Sequence, residues 1–337
     1  MTRFLFSRLV SGVIVVIGVS VLMFLLARVV PGDPARLALG PEASAEQVEA
    51  MRQQMGFDRP IAEQYIRFMK GALNFDFGRS LYTDNPVSQD VAATFPATLE
   101  LVIFAGVAMT VIGGAMGIAS AHFKDRWPDN AARILSLLAV ALPNFVWALF
   151  LMLLLSFWLG LLPLTGRLSE SLAAPPAVTG LYTIDALIAG QWQVFRDALA
   201  HIVLPAVALS LPGLAQISRL TRTNMVDSYD RPFVEFARAY GLAESSIALK
   251  WALRPAIIPT LMILGMQIVA LLGNAFIVET IFHWPGMAKY GVNAIMRKDL
   301  NAVIAVVMLI SVFFVLINMI IDTIVSFIDP KIRLKAS

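Results

Sequence analysis

The sequence contains no cysteine, which excludes disulfides, iron–sulfur clusters, thiolate zinc sites and a cysteine nucleophile. Its only histidines, His122, His201 and His283, lie far apart and outside any H-E-x-x-H pattern, so no zinc-hydrolase helix is encoded. The pattern G-x-x-x-x-G-K-[ST] is missing and no Gly-Lys pair occurs, which excludes a phosphate-cradling P-loop. Ser20, Ser136, Ser156 and Ser210 sit in apolar runs with no spaced basic partner of the kind nucleophilic catalysis needs. Charge is scarce too: 15% of the 337 residues are charged, where soluble domains carry about 25%. The net charge of +3 is too small to argue for nucleic acid.

Apolar residues take the place of charge. They make up 58% of the chain, mean hydropathy is +0.75, and they gather in long blocks, the mark of an integral membrane protein. The N-terminus has the basic start of a signal peptide, but its apolar run is longer than a signal core and no small-x-small site follows. It reads as a retained first membrane helix. Six stretches reach the ~20 apolar residues a bilayer requires: 9–27, 101–121, 134–159, 198–217, 256–282 and 302–328. Pro143 interrupts the third, and Pro205 and Pro212 the fourth; membrane helices tolerate such kinks. The expectation is an all-α membrane protein with six transmembrane helices.

Lysine and arginine set the orientation. With the N-terminus inside, the segments 1–8, 122–133, 219–255 and 329–337 hold 14 of the 26 basic residues. They do so in about half the length of the opposite segments 28–96, 160–197 and 283–301, so both termini are expected in the cytoplasm. The division is then a first helix (1–28), an external subdomain (29–96), a five-helix core (97–330) with a cytoplasmic loop at 219–255, and a tail (331–337). Ser44 as N-cap and Gly56 as stop predict a helix in the external subdomain, and IAEQYIRFMKGAL predicts a second.

Within the cytoplasmic loop, RPFVEFARAYGL sets Phe233, Phe236, Ala237 and Tyr240 on one helical face, with Glu235 and Arg238 on the other side. Pro232 suits a first turn and Gly241 a left-handed C-terminal cap. The ESS that follows offers N-caps for a second helix, which Pro255 ends or kinks. The pattern alone fits a helix lying in the headgroup layer and equally an aromatic knob for a partner protein. After helix five, Trp284 and Tyr290 fit interfacial anchors.

The segment Glu235-Phe236-Ala237 with Gly241 and Leu253 resembles the cytoplasmic Glu-Ala-Ala…Gly loop of bacterial ABC importer permeases. The chain as a whole resembles the dipeptide/oligopeptide/nickel branch, carried by VVPGDPARLALG, MGFDRPIAEQYIRFMKG, FDFGRSL, PATLEL, LPLTGR, HIVLPAVAL, ARAYGL, ETIFHWPGMAKYG and the tail IDPKIR. Phe236 departs from the family's small residue, Tyr240 from its lysine, and Arg254-Pro255 from the usual pair. The resemblance implies the type I importer permease fold in the bacterial inner membrane and import of peptides or, alternatively, of nickel or another small solute. It implies a second homologous permease, two ATPase subunits that use the ATP, a solute-binding protein, and no cofactor on this chain. By the same resemblance Phe233, Glu235, Phe236, Ala237, Arg238, Tyr240, Gly241 and Leu242 form the ATPase coupling loop, while Phe282, Trp284, Pro285 and Gly286 face the binding protein.

A secondary transporter is the rival class, which needs intramembrane acids or broken helices. Glu100 and Glu279 lie near helix ends. Asn318 and Asp322 share a face, where interhelical bonding or pairing with Arg219 is a simpler role than proton relay. Gln267 and Asn274 share a face of helix five, fit either to line a polar pathway or to bond helices together.

Overall fold

The computed structural model describes residues 2–29, 43–55 and 58–328. The VVPGDPARLALG segment from residue 30 onward, Gly56 as a helix stop, and the tail after Ile328 lie outside the described residues. Among those residues there is no strand, and an isolated bridge joins Arg79 and Pro86.

The helices are α1 (Thr2–Val29), α2 (Ala45–Met55), α3 (Ile61–Leu73), α4 (Val87–His122), α5 (Trp127–Ala141), α6 (Asn144–Leu151), α7 (Tyr182–Ile188), α8 (Trp192–Tyr229), α9 (Pro232–Ala239), α10 (Leu253–Ile281), α11 (Met287–Met296) and α12 (Leu300–Ile328). Wide π turns continue α6 over Met152–Trp158 and lead into α10 over Ile247–Ala252. Among the described residues five helices are long and apolar enough to cross a membrane, and α5 with the α6 segment makes a sixth if that pair, bent by 107°, is one span.

The bend falls at Leu142 and Pro143, both extended, because a proline drives its predecessor out of the helical region. Pro205 and Pro212 do not break α8, which runs on to Tyr229, well past the end of its apolar stretch. Nor does Pro255 end the helix before span five: the chain is helical from Glu244 to Ile281, and the π turn ahead of the proline makes room for its ring. The ESS side chains do not cap that helix, whose N-cap is Ala243.

The chain divides into two compact units. One combines the described parts of Ser7–Ala93 with Tyr290–Val315. Here Ser44 caps α2 in a reciprocal capping box, its Oγ accepting from the Gln47 amide while its own amide donates to Gln47 Oε1. Tyr65 and Phe68 of α3 pack on Phe24 of α1, and Ser20 bonds the Tyr65 hydroxyl at 2.7 Å. The FDFGRSL segment is held by Ser80 Oγ donating to the buried Asp299 and by Asn301 donating to the Arg79 carbonyl.

The other unit combines Thr94–Lys289 with the described parts of Met1–Phe6 and of the chain from Leu316 onward. Helix α8 is its axis, packed by α10, α5, α6 and α7. Helix α4 meets α8 at Gly113 and Gly117. A Cβ at Gly113 would stand 2.7 Å from the Leu214 carbonyl oxygen, and one at Gly117 would stand 2.6 Å from that of Ser218. This is the close backbone approach that small residues four apart permit in a membrane.

Candidate functional site

Three features of the larger unit bear on function. The first is the 231–242 loop. Pro232 starts α9 after an extended Arg231, and α9 buries Val234 and Ala237 against Ile247 and Tyr229. Its C-terminus closes in a Schellman turn: the Leu242 amide donates to the Ala237 carbonyl at 3.2 Å and the Gly241 amide to that of Arg238 at 2.9 Å, with Gly241 at φ +76°. Arg238 forks onto Glu244 at 2.7 and 3.2 Å, tying α9 to the helix that follows. That hydrogen-bonded carboxylate raises the Arg238 guanidinium above its ordinary pKa, and the guanidinium in turn lowers that of Glu244.

With Val234 turned inward, the aromatic face is left bare. Phe236 is 65% and Tyr240 75% exposed, their rings 5.1 Å apart. With Phe233, Leu242 and Trp251 they wall an apolar depression of about 500 Å³. Glu235 is exposed beside it. Val234 and Trp251 are not among the residues singled out from the sequence, and Glu244 reads there as a helix cap rather than as the partner of Arg238. The 3.6-residue period marks Phe233, Phe236, Ala237 and Tyr240 as one stripe, but the structure turns Ala237 inward with Val234 and leaves the three aromatics exposed, because the period alone does not tell which apolar stripe is inside.

The second feature is a cavity of about 270 Å³ where the broken span meets α8 and α10. Gln267 and Asn274 both line it, with Asn144 opposite and Pro212 at its edge. Gln267 donates to Gln216 Oε1 at 2.6 Å, so α8 contributes a further amide that sequence reasoning missed.

The third lies at the opposite end of α8 and α10 from α9, where the quoted motifs converge. Glu100 of PATLEL accepts from Arg167 of LPLTGR at 2.5 Å and from the Thr183 amide and hydroxyl; Glu100 and Arg167 are both buried. The Arg167 guanidinium stacks 3.8 Å over Tyr182. Glu279 accepts from Thr98 Oγ1 at 2.5 Å and from the Lys289 amide at 2.7 Å, and Trp284 Nε1 donates to the Ala97 carbonyl. Gly286 has no room for a side chain, since a Cβ would fall on the Glu279 carboxyl group.

This geometry corrects two expectations. Phe282 and Trp284 are buried, as is Gly286, so of the four residues expected to face a partner only Pro285 is exposed. Trp284 and Tyr290 are not interfacial anchors, because both are packed inside protein. His201 is buried too, its Nδ1 2.8 Å from the Asp197 carbonyl oxygen. Asn318 and Asp322 both have interaction partners, but Arg219 is exposed and its side chain pairs with no described residue, so the Asp322–Arg219 pair is not formed. No three described histidines or acids group to hold a metal.

Two family models match the chain: the inner membrane component of binding-protein-dependent transport systems over residues 113–334, and the N-terminal part of such membrane components over residues 1–102. The chain is 38% identical to the probable D,D-dipeptide transport system permease protein DdpB of Escherichia coli (strain K12), covering 95% of this chain and 94% of that one. It is 34% identical to the glutathione transport system permease protein GsiC of Shigella flexneri serotype 5b, over 99% and 100%, and equally so to GsiC of Salmonella paratyphi A.

Proposed function

Because the chain belongs to the inner membrane components of binding-protein-dependent transport systems, and is thus the permease of an ABC importer, we propose that it forms half of a pathway for di- or oligopeptides beside a second, homologous permease. The importer class brings a separate ATPase and a solute-binding protein. Peptide as cargo is supported by the relatives' names, a dipeptide and a glutathione permease.

Two ATPase subunits supply the ATP energy, since this chain has no P-loop. One of them docks on residues 231–242, in the cytoplasm with both termini, as the distribution of basic residues supports. The carrying observation is the α9 surface: an apolar face held from behind by Val234, Ala237 and the Arg238–Glu244 tie, and covered by no described residue. Burying a large apolar side chain contributes roughly 1.5–3 kcal/mol, so Phe236 and Tyr240 together contribute a substantial share of the docking energy. Closure of the ATPase pair then moves α9, and with it α8 and α10. To swing the bundle from one packing almost wholly to the other, the nucleotide must favour one state by about 5.5 kcal/mol.

Gln267, Asn274 and Gln216 line the solute path. Supporting this are the cavity that Gln267 and Asn274 share, the Gln267–Gln216 hydrogen bond and the broken span beside them, because irregular backbone at membrane depth is tolerated where it lines a cavity. By the sequence reading residues 29–96 are the external subdomain, and Pro285, the exposed residue of the turn after α10, meets the binding protein.

Phe236→Ser combined with Tyr240→Ser removes the knob without touching the buried face. The ATPase is expected to be lost from the purified complex while the permease stays in the membrane. Full recovery of ATPase with that variant overturns the docking assignment.

A further inference from the structure

A second cavity, of about 490 Å³, lies between α4, α5 and α8. The register of α5 against α8 is antiparallel: Arg222 reaches Asp129 near one end, and Asn144 faces the Leu209–Gly213 turn beyond the other. In that register the wall changes character along its length. Arg133 and Arg219 stand toward the end that leads to α9, Ser136 and Ser218 stand in the middle, and Leu137, Val140 and Ala141 stand deepest.

The arginines differ in what they touch. Arg222 is committed, its fork donating to both oxygens of a fully buried Asp129 at 2.7 Å. Ser120 and the Asp125 amide satisfy the same carboxylate, so this floor is rigid and electrically closed. Arg133 and Arg219 are exposed, and neither side chain bonds a described residue. Two uncompensated guanidinium groups therefore head a slot whose inner half is apolar and open, with Leu137 68% exposed.

We propose that this cavity binds one anionic phospholipid, its phosphate on Arg133 and Arg219 and an acyl chain along Leu137, Val140 and Ala141. Basic pockets between membrane helices at the cytoplasmic face take such headgroups, and guanidinium forks match phosphate oxygens two at a time. A soluble anion would gain the charges alone, whereas a lipid gains the charges and the apolar wall. The occupant braces α5 against α8, the helix that runs straight into the turn before α9. The inference is independent of whether α9 docks an ATPase, because its test reads bound lipid.

The assembled transporter would be purified from membranes in mild detergent, its bound phospholipid measured by native mass spectrometry per intact complex. The wild type is expected to retain phosphatidylglycerol or cardiolipin, and Arg133→Gln with Arg219→Gln to retain about tenfold less. Leu137→Trp keeps both charges but fills the apolar half, and is expected to lose the lipid as well. After delipidation, phosphatidylglycerol in phosphatidylcholine nanodiscs should rebind to the wild type and resist competition by glycerol phosphate. Equal retention by all three proteins overturns the proposal. So does displacement by glycerol phosphate, which would mark a soluble-anion site, and so does loss of the second permease with lipid unchanged, which would mark a subunit interface.

Discussion

Gly241 and Gly286 are both glycines for reasons the coordinates distinguish. A Cβ at Gly241 would meet nothing within 4 Å, but the residue sits at φ +76°, where L side chains are strained by about 1–2 kcal/mol. Gly286 has an unexceptional φ, yet its Cβ position is already occupied by the Glu279 carboxyl group. The first is a conformational requirement and the second a steric one, so substitutions separate them. Gly241→Asn, which tolerates the left-handed region, is expected to keep most transport, while Gly241→Val loses it with the protein still in the membrane. Uptake by reconstituted transporter measures both; equal activity of the two variants would show that the Schellman turn is not needed for coupling. The turn itself was legible in the sequence from Pro232 and Gly241, whereas the inward face of α9 was not. Two apolar stripes compete on that short helix, and only the position of Ile247, supplied by the next helix, decides for Val234 and Ala237.

Helix α4 shows a signal that was present and unread. Gly113 and Gly117 are four apart in an apolar helix, and they let the α4 backbone come against Leu214 and Ser218 of α8. Gly117→Leu is expected to separate the two helices and to lower the thermal unfolding temperature of detergent-purified protein. Gly114→Leu, one residue along and with open space around its Cβ, is expected to be nearly neutral. Comparable losses from both would mean that the close approach at Gly117 is not what the substitution disturbs, since helix propensity alone favours leucine over glycine at either position. The apolar runs located the spans but misjudged their ends, because α4 begins at Val87 and α8 runs to Tyr229 through polar sequence. Hydropathy marks the part of a helix that lies in lipid; tertiary contacts decide how far it extends beyond. Likewise Pro143 breaks its span and Pro205 does not, so a proline alone does not fix where a membrane helix breaks.

The two ends of the larger unit are built in opposite ways. Around α9 the distinctive residues point outward and lack a cover, while at the other end PATLEL, LPLTGR and ETIFHWPG fold onto one another in a buried polar cluster. Motif resemblance could not tell these cases apart, since a recurring pattern marks a surface and an internal clasp alike; Trp284 reads as an exposed anchor until its indole is seen bonded to Ala97. Under the proposed swing of the bundle between two packings the contrast has a mechanical sense: a stiff end can rock as a body when the opposite end is pushed. The stiffness rests on Glu100 and Arg167, a buried pair in which removal of one partner strands the other charge at a cost of about 3–5 kcal/mol. Arg167→Met is therefore expected to destabilise the protein sharply, through an unpaired Glu100. Adding Glu100→Gln removes the stranded charge and is expected to restore a large part of the loss, since the amide still accepts from Thr183. Thermal unfolding of the wild type, both single variants and the double variant measures the coupling between the two sites. Strictly additive losses would mean that the pair does not act as a clasp, and the stiff-end account of rocking would lose its physical basis.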